Sequence, residues 1–161
     1  MRKKSIHFLA SVVVLGLLAG GVSAQTAATP EELAKESEQA CAASASVKAT
    51  PEMVIEKVNK ACELISKEGK AAFPKFKGKD SEFIFAGTYI WVNDMNGVVL
   101  VQPIKYKMEG TDTMGMKDSD GRSFVVEFIE TCKKKGAGWV AYMWPKPGEK
   151  SPSQKLTYIK K

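Results

Sequence analysis

The longest aromatic and β-branched run of the chain covers residues 83–103 and contains one polar break. Alternation over residues 83–92 gives two apolar faces, which predicts a central antiparallel strand. The break at residues 93–97 holds Asn, Asp and Gly, which tolerate left-handed backbone, and residues 98–101 then resume the extended pattern. Pro103 ends this second extended segment, because proline lacks the backbone N–H that pairing with a neighbouring strand requires. The pattern therefore predicts a β-hairpin at the centre of the domain.

Three segments have helical spacing. Residues 28–41 and 49–62 form an imperfect repeat, and each copy opens with Ala-Thr-Pro-Glu, in which Thr is a suitable N-cap and Pro a suitable first helical residue. The first copy is weakly amphipathic and predicts a short, mobile leader helix. The second has an apolar stripe and predicts a packed helix over about residues 51–76. A third helix is expected over residues 123–135, before Gly136.

The last part of the chain predicts two more strands, residues 138–144 and 155–160, joined by a proline-rich turn. Before the third helix, residues 104–121 are rich in Gly, Asp and Met and predict a loop. Within it, residues 118–121 favour a turn over a calcium site, because the 12-residue ligand set is absent. The order of elements indicates an α+β fold with an antiparallel sheet.

Residues 1–24 have a basic start, a short apolar run and a small-residue cleavage motif, which together predict a secretory signal peptide; an uncleaved anchor is the alternative. The expected organisation is this signal, a weakly helical leader over residues 25–48 and one domain over residues 49–161 in the periplasm or outside the cell. Removing three of the 24 basic residues leaves 21 against 18 acidic ones, a net charge of +3. Without a basic stripe, nucleic acid is not an expected partner.

The three cysteines are an odd number, so one intramolecular disulfide at most can form, and a bond between Cys41 and Cys62 is one option. No CxxC motif occurs, and the sole histidine, His7, lies in the signal. Histidine-based catalysis and Zn–histidine sites are therefore excluded from the processed chain, and neither a metal nor a cofactor is expected.

Several spaced motifs resemble the single Cache domain, the extracellular PAS-like sensor module of bacterial chemoreceptors and histidine kinases. The resemblance covers most of residues 51–161, and its most specific segment is Gly138-Trp-Val-Ala-Tyr-Met-Trp-Pro-Lys-Pro-Gly148. It implies a PAS-like five-stranded antiparallel sheet with a long N-terminal helix packed on it. It also implies a small-molecule pocket between the sheet and the loop and helix after its first hairpin, often for short carboxylates.

Two features depart from the family pattern. The second strand ends in Gln102-Pro103, where members usually have His-Pro. Members also continue past the strand of residues 155–160 into a last strand beside the first, so the domain of residues 49–161 is expected to lack that strand.

These observations predict a non-catalytic ligand-binding domain that acts in signal perception. Its aromatic rings would enclose an apolar tail, and a lysine ammonium with tyrosine hydroxyls would bind a carboxylate. For each ring core packing is the alternative, and for each lysine a solvated surface position. The candidate binding residues are Tyr89, Trp91, Tyr106, Tyr142, Trp144 and Lys155, with Lys105 and Lys146 as secondary anion partners.

The expected partners are a small-molecule ligand such as a short carboxylate and a membrane receptor or histidine kinase that relays the signal; a homodimer is a further option. An envelope scaffolding module that binds another protein through its leader helix and sheet edge is the alternative. An enzyme would have to use carboxylates such as Glu109, Asp112, Glu127 and Glu130, none of which lies in a recognisable motif.

Overall fold

The computed structural model describes residues 27–161, so the predicted signal peptide lies outside the described residues. The helices are α1 (Pro30–Ser44), α2 (Pro51–Glu68) and α3 (Phe124–Lys135), with 3₁₀ segments at Gly69–Phe76 and Tyr106–Met108. The strands are β1 (Ile84–Phe85), β2 (Thr88–Tyr89), β3 (Val92–Asn93), β4 (Val99–Val101), β5 (Ala137–Pro145) and β6 (Pro152–Lys160). Within residues 27–161, no helix has the length and apolar character that crossing a bilayer requires.

Helix α1 begins at a complete capping box, in which the Thr29 side chain accepts from Glu32 N and the Glu32 side chain accepts from Thr29 N. It packs on the domain, whereas its weak amphipathicity predicted a mobile leader. The reason is that polar contacts replace apolar ones: Ser37 Oγ accepts from Gly78 N at 2.8 Å, and Ser44 Oγ accepts from Gly87 N at 3.1 Å. Ser37 is fully buried.

Helix α2 starts at the predicted cap, Thr50, and packs against β6, where Lys160 Nζ donates to Asn59 Oδ1 at 2.8 Å. The predicted helix to Phe76 changes character at Gly69, whose φ of 60° ends the α-helical turns. A 3₁₀ segment then continues to Phe76. The long helix that packs on a strand of the β-structure is therefore confirmed, with a shorter α-helical part.

The single strand predicted over residues 83–92 is wrong. Strands β1 and β2 fold back on each other, with Phe85 opposite Thr88, so Ala86 and Gly87 form a two-residue turn. Their φ angles are 48° and 70°, as such tight turns require. Hydrophobic alternation continues through this turn because two residues preserve the period of two, and the pattern therefore conceals it.

The turn predicted at residues 93–97 is confirmed. Strands β3 and β4 pair across residues 94–97, where Asp94 Oδ1 accepts from the N–H groups of Asn96 and Val98, both at 2.9 Å. Gly97 has a φ of 84°, and a Cβ on it would lie 2.5 Å from Met114 Cγ. Glycine therefore serves both the turn and the close approach of the following loop.

The described residues form three separate two-stranded antiparallel ladders, β1–β2, β3–β4 and β5–β6. The fold is α+β as predicted, but the continuous five-stranded sheet implied by the family is not seen. Strands β1 to β4 contain only two or three residues each, which is too short to continue a ladder beside the nine-residue strands β5 and β6.

Two apolar clusters form the core. One lies under α2, where Phe76 and Phe83 stack with ring centroids 4.3 Å apart. The other lies between α3 and the β5–β6 hairpin, where Phe124 stacks on Tyr142 at 4.4 Å. The second cluster adjoins the predicted binding residues, so α3 supports the candidate site from below.

Candidate ligand-binding site

One cavity brings together five of the six candidate binding residues. They come from the β1–β2 hairpin, the link between β2 and β3, and the β5–β6 hairpin. Tyr142 lies opposite Lys155 on β5 and β6, so both side chains point to the same face. Four further residues from the loop and α3 complete the wall. The residues around the cavity are Tyr89, Trp91, Gln102, Met108, Met116, Phe124, Tyr142, Trp144 and Lys155.

Lys155 supplies the positive charge of the cavity. Its side chain is half-buried, and its Nζ lies 4.9 Å from the centroid of the Tyr89 ring, within range of a cation–π interaction. Burial lowers the pKa of Lys155 to about 8, a net value that includes an opposing contribution from Cys41 and a further lowering by Lys105. No carboxylate within residues 27–161 forms an ion pair with it.

Lys105 adds a second ammonium at the rim. Its side chain is exposed, and its Nζ lies 5.1 Å from the centroid of the Trp144 ring. Two lysines therefore sit over two aromatic rings of one cavity. This arrangement concentrates positive potential at the cavity and favours an anionic group inside it.

Two tyrosines provide neutral hydrogen-bonding groups. Burial raises the pKa of Tyr89 and of Tyr142, so both phenols stay protonated through the physiological range. Tyr142 Oη accepts from Thr157 Oγ1 at 3.3 Å, which leaves its own O–H free to donate. Gln102 interacts with the Tyr89 hydroxyl.

Gln102 lies at the floor of the cavity, at the position where the resemblance to the Cache domain implies histidine. It is 4% exposed, and its Oε1 accepts from Ile104 N at 3.2 Å. Its backbone N–H donates to Glu109 Oε1 at 2.7 Å, and Glu109 pairs with Lys77 at 2.7 Å. The glutamine therefore shapes the chain after β4 and adds no titratable group to the cavity.

Asp118 holds the loop against β5. Its Oδ1 accepts from the N–H groups of Asp120 and Arg122, and its Oδ2 accepts from Met143 N at 3.0 Å. These hydrogen bonds lower the pKa of the Asp118 carboxyl, and the bond from Met143 N–H contributes most. Residues 118–121 form a turn, as their sequence predicted. This turn holds in place the loop of residues 104–121, whose Met116 lines the cavity wall.

Two candidates lie away from the cavity. Tyr106 is on the 3₁₀ segment Tyr106–Met108, and its ring is 5.9 Å from Lys107 Nζ. With three residues per turn, Tyr106 and Met108 point in different directions, and Met108 is the one that lines the cavity. Lys146 is exposed on the β5–β6 turn and lies 3.8 Å from Glu149. Neither residue lines the cavity.

Four residues of the cavity wall are not among the candidates that the sequence indicates: Gln102, Met108, Met116 and Phe124. Phe124 lies within the predicted third helix, and it belongs both to the core and to the cavity wall. The methionines lie in a loop without periodicity, so their apolar character among Gly and Asp residues was the only available signal. Flexible, polarisable methionines adapt to ligands of different shape.

The cavity is small in this structure. Its free volume is about 10 Å³, which is room for about one water molecule. A ligand of several heavy atoms would therefore require Met108, Met116 or Lys155 to change rotamer.

Comparison with known proteins identifies the family. The sequence profile described as Cache domain matches residues 79–161, which are 83 of the 161 residues. The chain belongs to the Cache domain family. The resemblance drawn from its motifs is thereby confirmed, and the match includes all of the cavity residues, from Tyr89 to Lys155.

Two proteins similar to this Cache domain in sequence are chemotaxis proteins. The methyl-accepting chemotaxis protein McpP of Pseudomonas putida is 34% identical over 71 residues, which are 44% of this chain and 13% of that protein. This Cache domain therefore matches only a small part of McpP. The periplasmic sensor domain of a chemotaxis protein is 28% identical with a TM-score of 0.56, covering 67% of this chain and 83% of its own.

A second solved structure concerns carboxylic acid recognition by a Cache chemosensory domain. It is also 28% identical, with a TM-score of 0.56 over 68% of this chain and 82% of its own. A methyl-accepting chemotaxis protein from Vibrio parahaemolyticus shares the fold at 19% identity, with a TM-score of 0.54 over 78% of this chain and 84% of its own. This Cache domain is thus similar to chemosensory domains in sequence and in fold.

Proposed function

We propose that this Cache domain is an exported, non-catalytic sensor domain that binds a small organic anion, with a short carboxylate as the favoured class. The observation that carries the proposal is Lys155, a desolvated ammonium on an aromatic cavity wall without a carboxylate partner among the described residues. A bound carboxylate would provide the missing counter-charge, and the methionines and Phe124 would contact its hydrocarbon part.

The comparisons support the ligand class. One similar structure concerns carboxylic acid recognition by a Cache chemosensory domain, at 28% identity over 68% of this chain. In the present cavity, Lys155 and the O–H groups of Tyr89 and Tyr142 are the donors suited to a carboxylate. The rim charge of Lys105 would attract an anion before it enters.

The sensing role requires export and a partner. The basic, apolar and small-residue parts of residues 1–24 are those of a signal peptide, and we propose that cleavage leaves Gln25 as the first residue of a periplasmic protein. A membrane receptor or histidine kinase would then relay the signal from this domain, which would act as one copy or as a homodimer.

Export is tested by N-terminal sequencing of the protein purified from its native cell envelope. The expected first residue is at or next to Gln25. Recovery of Met1 from the envelope fraction would contradict cleavage, and recovery from the cytoplasm alone would contradict export.

The binding proposal is tested by calorimetric titration with saturated monocarboxylates of two to five carbons, with primary amines and alcohols of equal length as comparison ligands. The expected result is binding of carboxylates only. Lys155→Ala should weaken that binding roughly 10- to 150-fold, because it removes a charge-assisted bond worth about 1.5–3 kcal/mol. Lys146→Ala is the matched control, because it removes the same charge from an exposed turn.

Two results would contradict the proposal. Indistinguishable titration curves for the wild type and Lys155→Ala would remove Lys155 from the site. Binding of the alcohols as tightly as the carboxylates would show that an apolar cavity, and no anion recognition, determines affinity.

A further inference from the structure

The C-terminal end of β6 joins the ends of two helices. From α2, Asn59 Oδ1 accepts from Lys160 Nζ at 2.8 Å. From the end of α3, Gly136 O accepts from Lys161 N at 2.9 Å. Because Lys160 and Lys161 are adjacent, these two contacts bring the second half of α2 and the last turn of α3 to the same place.

Each helix carries a cysteine there. Cys62 lies three residues after Asn59 and therefore on the same face of α2. Cys132 is in the last turn of α3, where its carbonyl accepts from Gly136 N at 3.0 Å. Both side chains are half-buried. Burial raises the pKa of the Cys132 thiol, and the Cys62 thiol raises it further, as expected for two thiols that lie near each other.

The third cysteine is in a different environment. Cys41 on α1 is 1% exposed, and it influences the pKa of Tyr89 and of Lys155 beside the ligand cavity. All three cysteines are free thiols in this structure, so the Cys41–Cys62 bond that the sequence repeat allowed is not formed. Cys62 instead lies close to Lys160, whose side chain interacts with the same helix.

We propose that Cys62 and Cys132 are a disulfide-forming pair that links α2 to α3, and that Cys41 is the remaining free thiol. The bond would close a loop of about 70 residues, which contains the β1–β4 hairpins and the cavity loop. Crosslinks that close long loops restrict the unfolded chain most, so the pair would stabilise the whole domain.

The chemistry needs a thiol–disulfide oxidant, for which oxidised glutathione is a suitable probe. The thiolate of one cysteine attacks a glutathione sulfur and releases one glutathione thiolate. The second cysteine thiolate then attacks the mixed disulfide, forms the intramolecular S–S bond and releases the second glutathione. Two protons and two electrons leave the cysteine pair, and one oxidised glutathione becomes two reduced molecules. Persistence of the bond in the cell rests on the proposed export, because periplasmic conditions maintain disulfides.

The test begins with the purified full chain, incubated under native conditions with oxidised and reduced glutathione. Free thiols are then alkylated and the non-reduced protein is digested for peptide mass mapping. The expected product is a crosslinked peptide pair that contains Cys62 and Cys132, with Cys41 alkylated after unfolding. The crosslink should persist in Cys41→Ser and disappear in Cys62→Ser and Cys132→Ser.

Thermal melting gives a second readout. The oxidised wild type and Cys41→Ser should melt roughly 5–15 °C above their reduced forms. Cys62→Ser and Cys132→Ser should melt at the same temperature in both conditions. A Cys41–Cys62 crosslink, stable mixed disulfides with glutathione, intermolecular dimers or three free thiols would each overturn the proposal. None of these readouts depends on ligand binding, so they are independent of the proposed function.

Discussion

Lys155 occupies a position where its charge is unfavourable for folding and favourable for anion binding. Burial lowers its pKa to about 8, from an ordinary value of 10.5. Because the folded-state pKa is the lower one, the folded chain binds fewer protons than the unfolded chain between pH 8 and 10.5. The charge of Lys155 therefore lowers the free energy of unfolding by its full amount below pH 8, and this effect disappears as the pH rises toward 10.5.

Lys155→Met should reveal this effect. Methionine keeps the length of the chain and removes the charge, so the variant should be more stable than the wild type by about 1–2 kcal/mol at pH 7, after allowance for partial solvent exposure. The difference should decrease between pH 8 and 10 in urea unfolding. Lys146→Met, on the exposed turn, controls for loss of a surface charge. A constant difference across this pH range would contradict the assigned burial of the ammonium.

At the scale of residues, strand alternation predicted much of the cavity. Alternation placed Tyr142 and Trp144 on one face of β5, and the pairing of Tyr142 with Lys155 in the structure adds the lysine to that face. Tyr106 lies outside the cavity, and a three-residue 3₁₀ turn has no periodicity from which a pattern could indicate this. The roles of Gln102 and Met108 follow from the path of the chain after β4, which depends on contacts such as Lys77 with Glu109.

The turn at Ala86-Gly87 is the element that most changes the expected architecture. It divides a long apolar run into β1 and β2, and it lies against the end of α1, where Gly87 N donates to Ser44 Oγ. Ala86 is the non-glycine residue with positive φ among residues 27–161, at 48°. Alanine is strained in this region by about 1–2 kcal/mol, whereas asparagine tolerates it better.

Substitutions at the turn should therefore have opposite effects. Ala86→Asn should stabilise the fold by about 0.5–1 kcal/mol, because Asn-Gly is the preferred pair for such turns. Gly87→Ala should destabilise it by about 1–2 kcal/mol, since its φ is 70° and the new Cβ would lie 3.1 Å from Ala45 Cβ. The measurement is thermal or urea unfolding.

Gly115→Ala is the control for the loss of a glycine, because it has open space around its Cβ position and no positive φ. If Gly87→Ala and Gly115→Ala had the same free energy of unfolding, the run of residues 83–92 would be extended, as the sequence alone suggested.

At the scale of elements, the helices and the β5–β6 hairpin were predictable because each has its own caps, periodicity and turn residues. Thr29, Thr50 and Gly136 mark helix boundaries in the structure as in the sequence. The docking of α1 was not predictable, because it depends on buried hydrogen bonds of Ser37 and Ser44 to distant glycine N–H groups. Such bonds leave no hydrophobic pattern along the helix.

At the scale of the whole molecule, α1, the hairpins and the cavity loop all meet around one titratable ammonium. Cys41 from α1, Tyr89 from β2, Tyr142 from β5 and Lys105 from the loop are the titratable groups around Lys155. Burial raises the pKa values of Cys41 and both tyrosines, so Lys155 is the first of these buried groups to titrate above pH 7.

Carboxylate affinity should therefore fall as the pH rises through about 8, by up to tenfold per pH unit, because neutral Lys155 provides no counter-charge. Calorimetric titration at pH 7, 8, 9 and 10 measures this dependence. Lys155→Arg should bind with an affinity that stays flat over the same range, since guanidinium remains charged. A wild-type affinity that does not change from pH 7 to 10 would show that Lys155 does not contact the anion.

The small free volume of the cavity, about 10 Å³, also has a kinetic consequence. A cavity of this size admits a larger ligand only from a minor, wider conformation, so the association rate constant should lie well below the diffusion limit. The observed relaxation rate should level off at high ligand concentration, where the opening of the methionine-lined wall becomes the slow step. The apparent association constant is then the intrinsic association constant multiplied by the fraction of molecules that are open. A receptor built on this domain would respond at a speed determined by its own side chains rather than by the arrival of ligand.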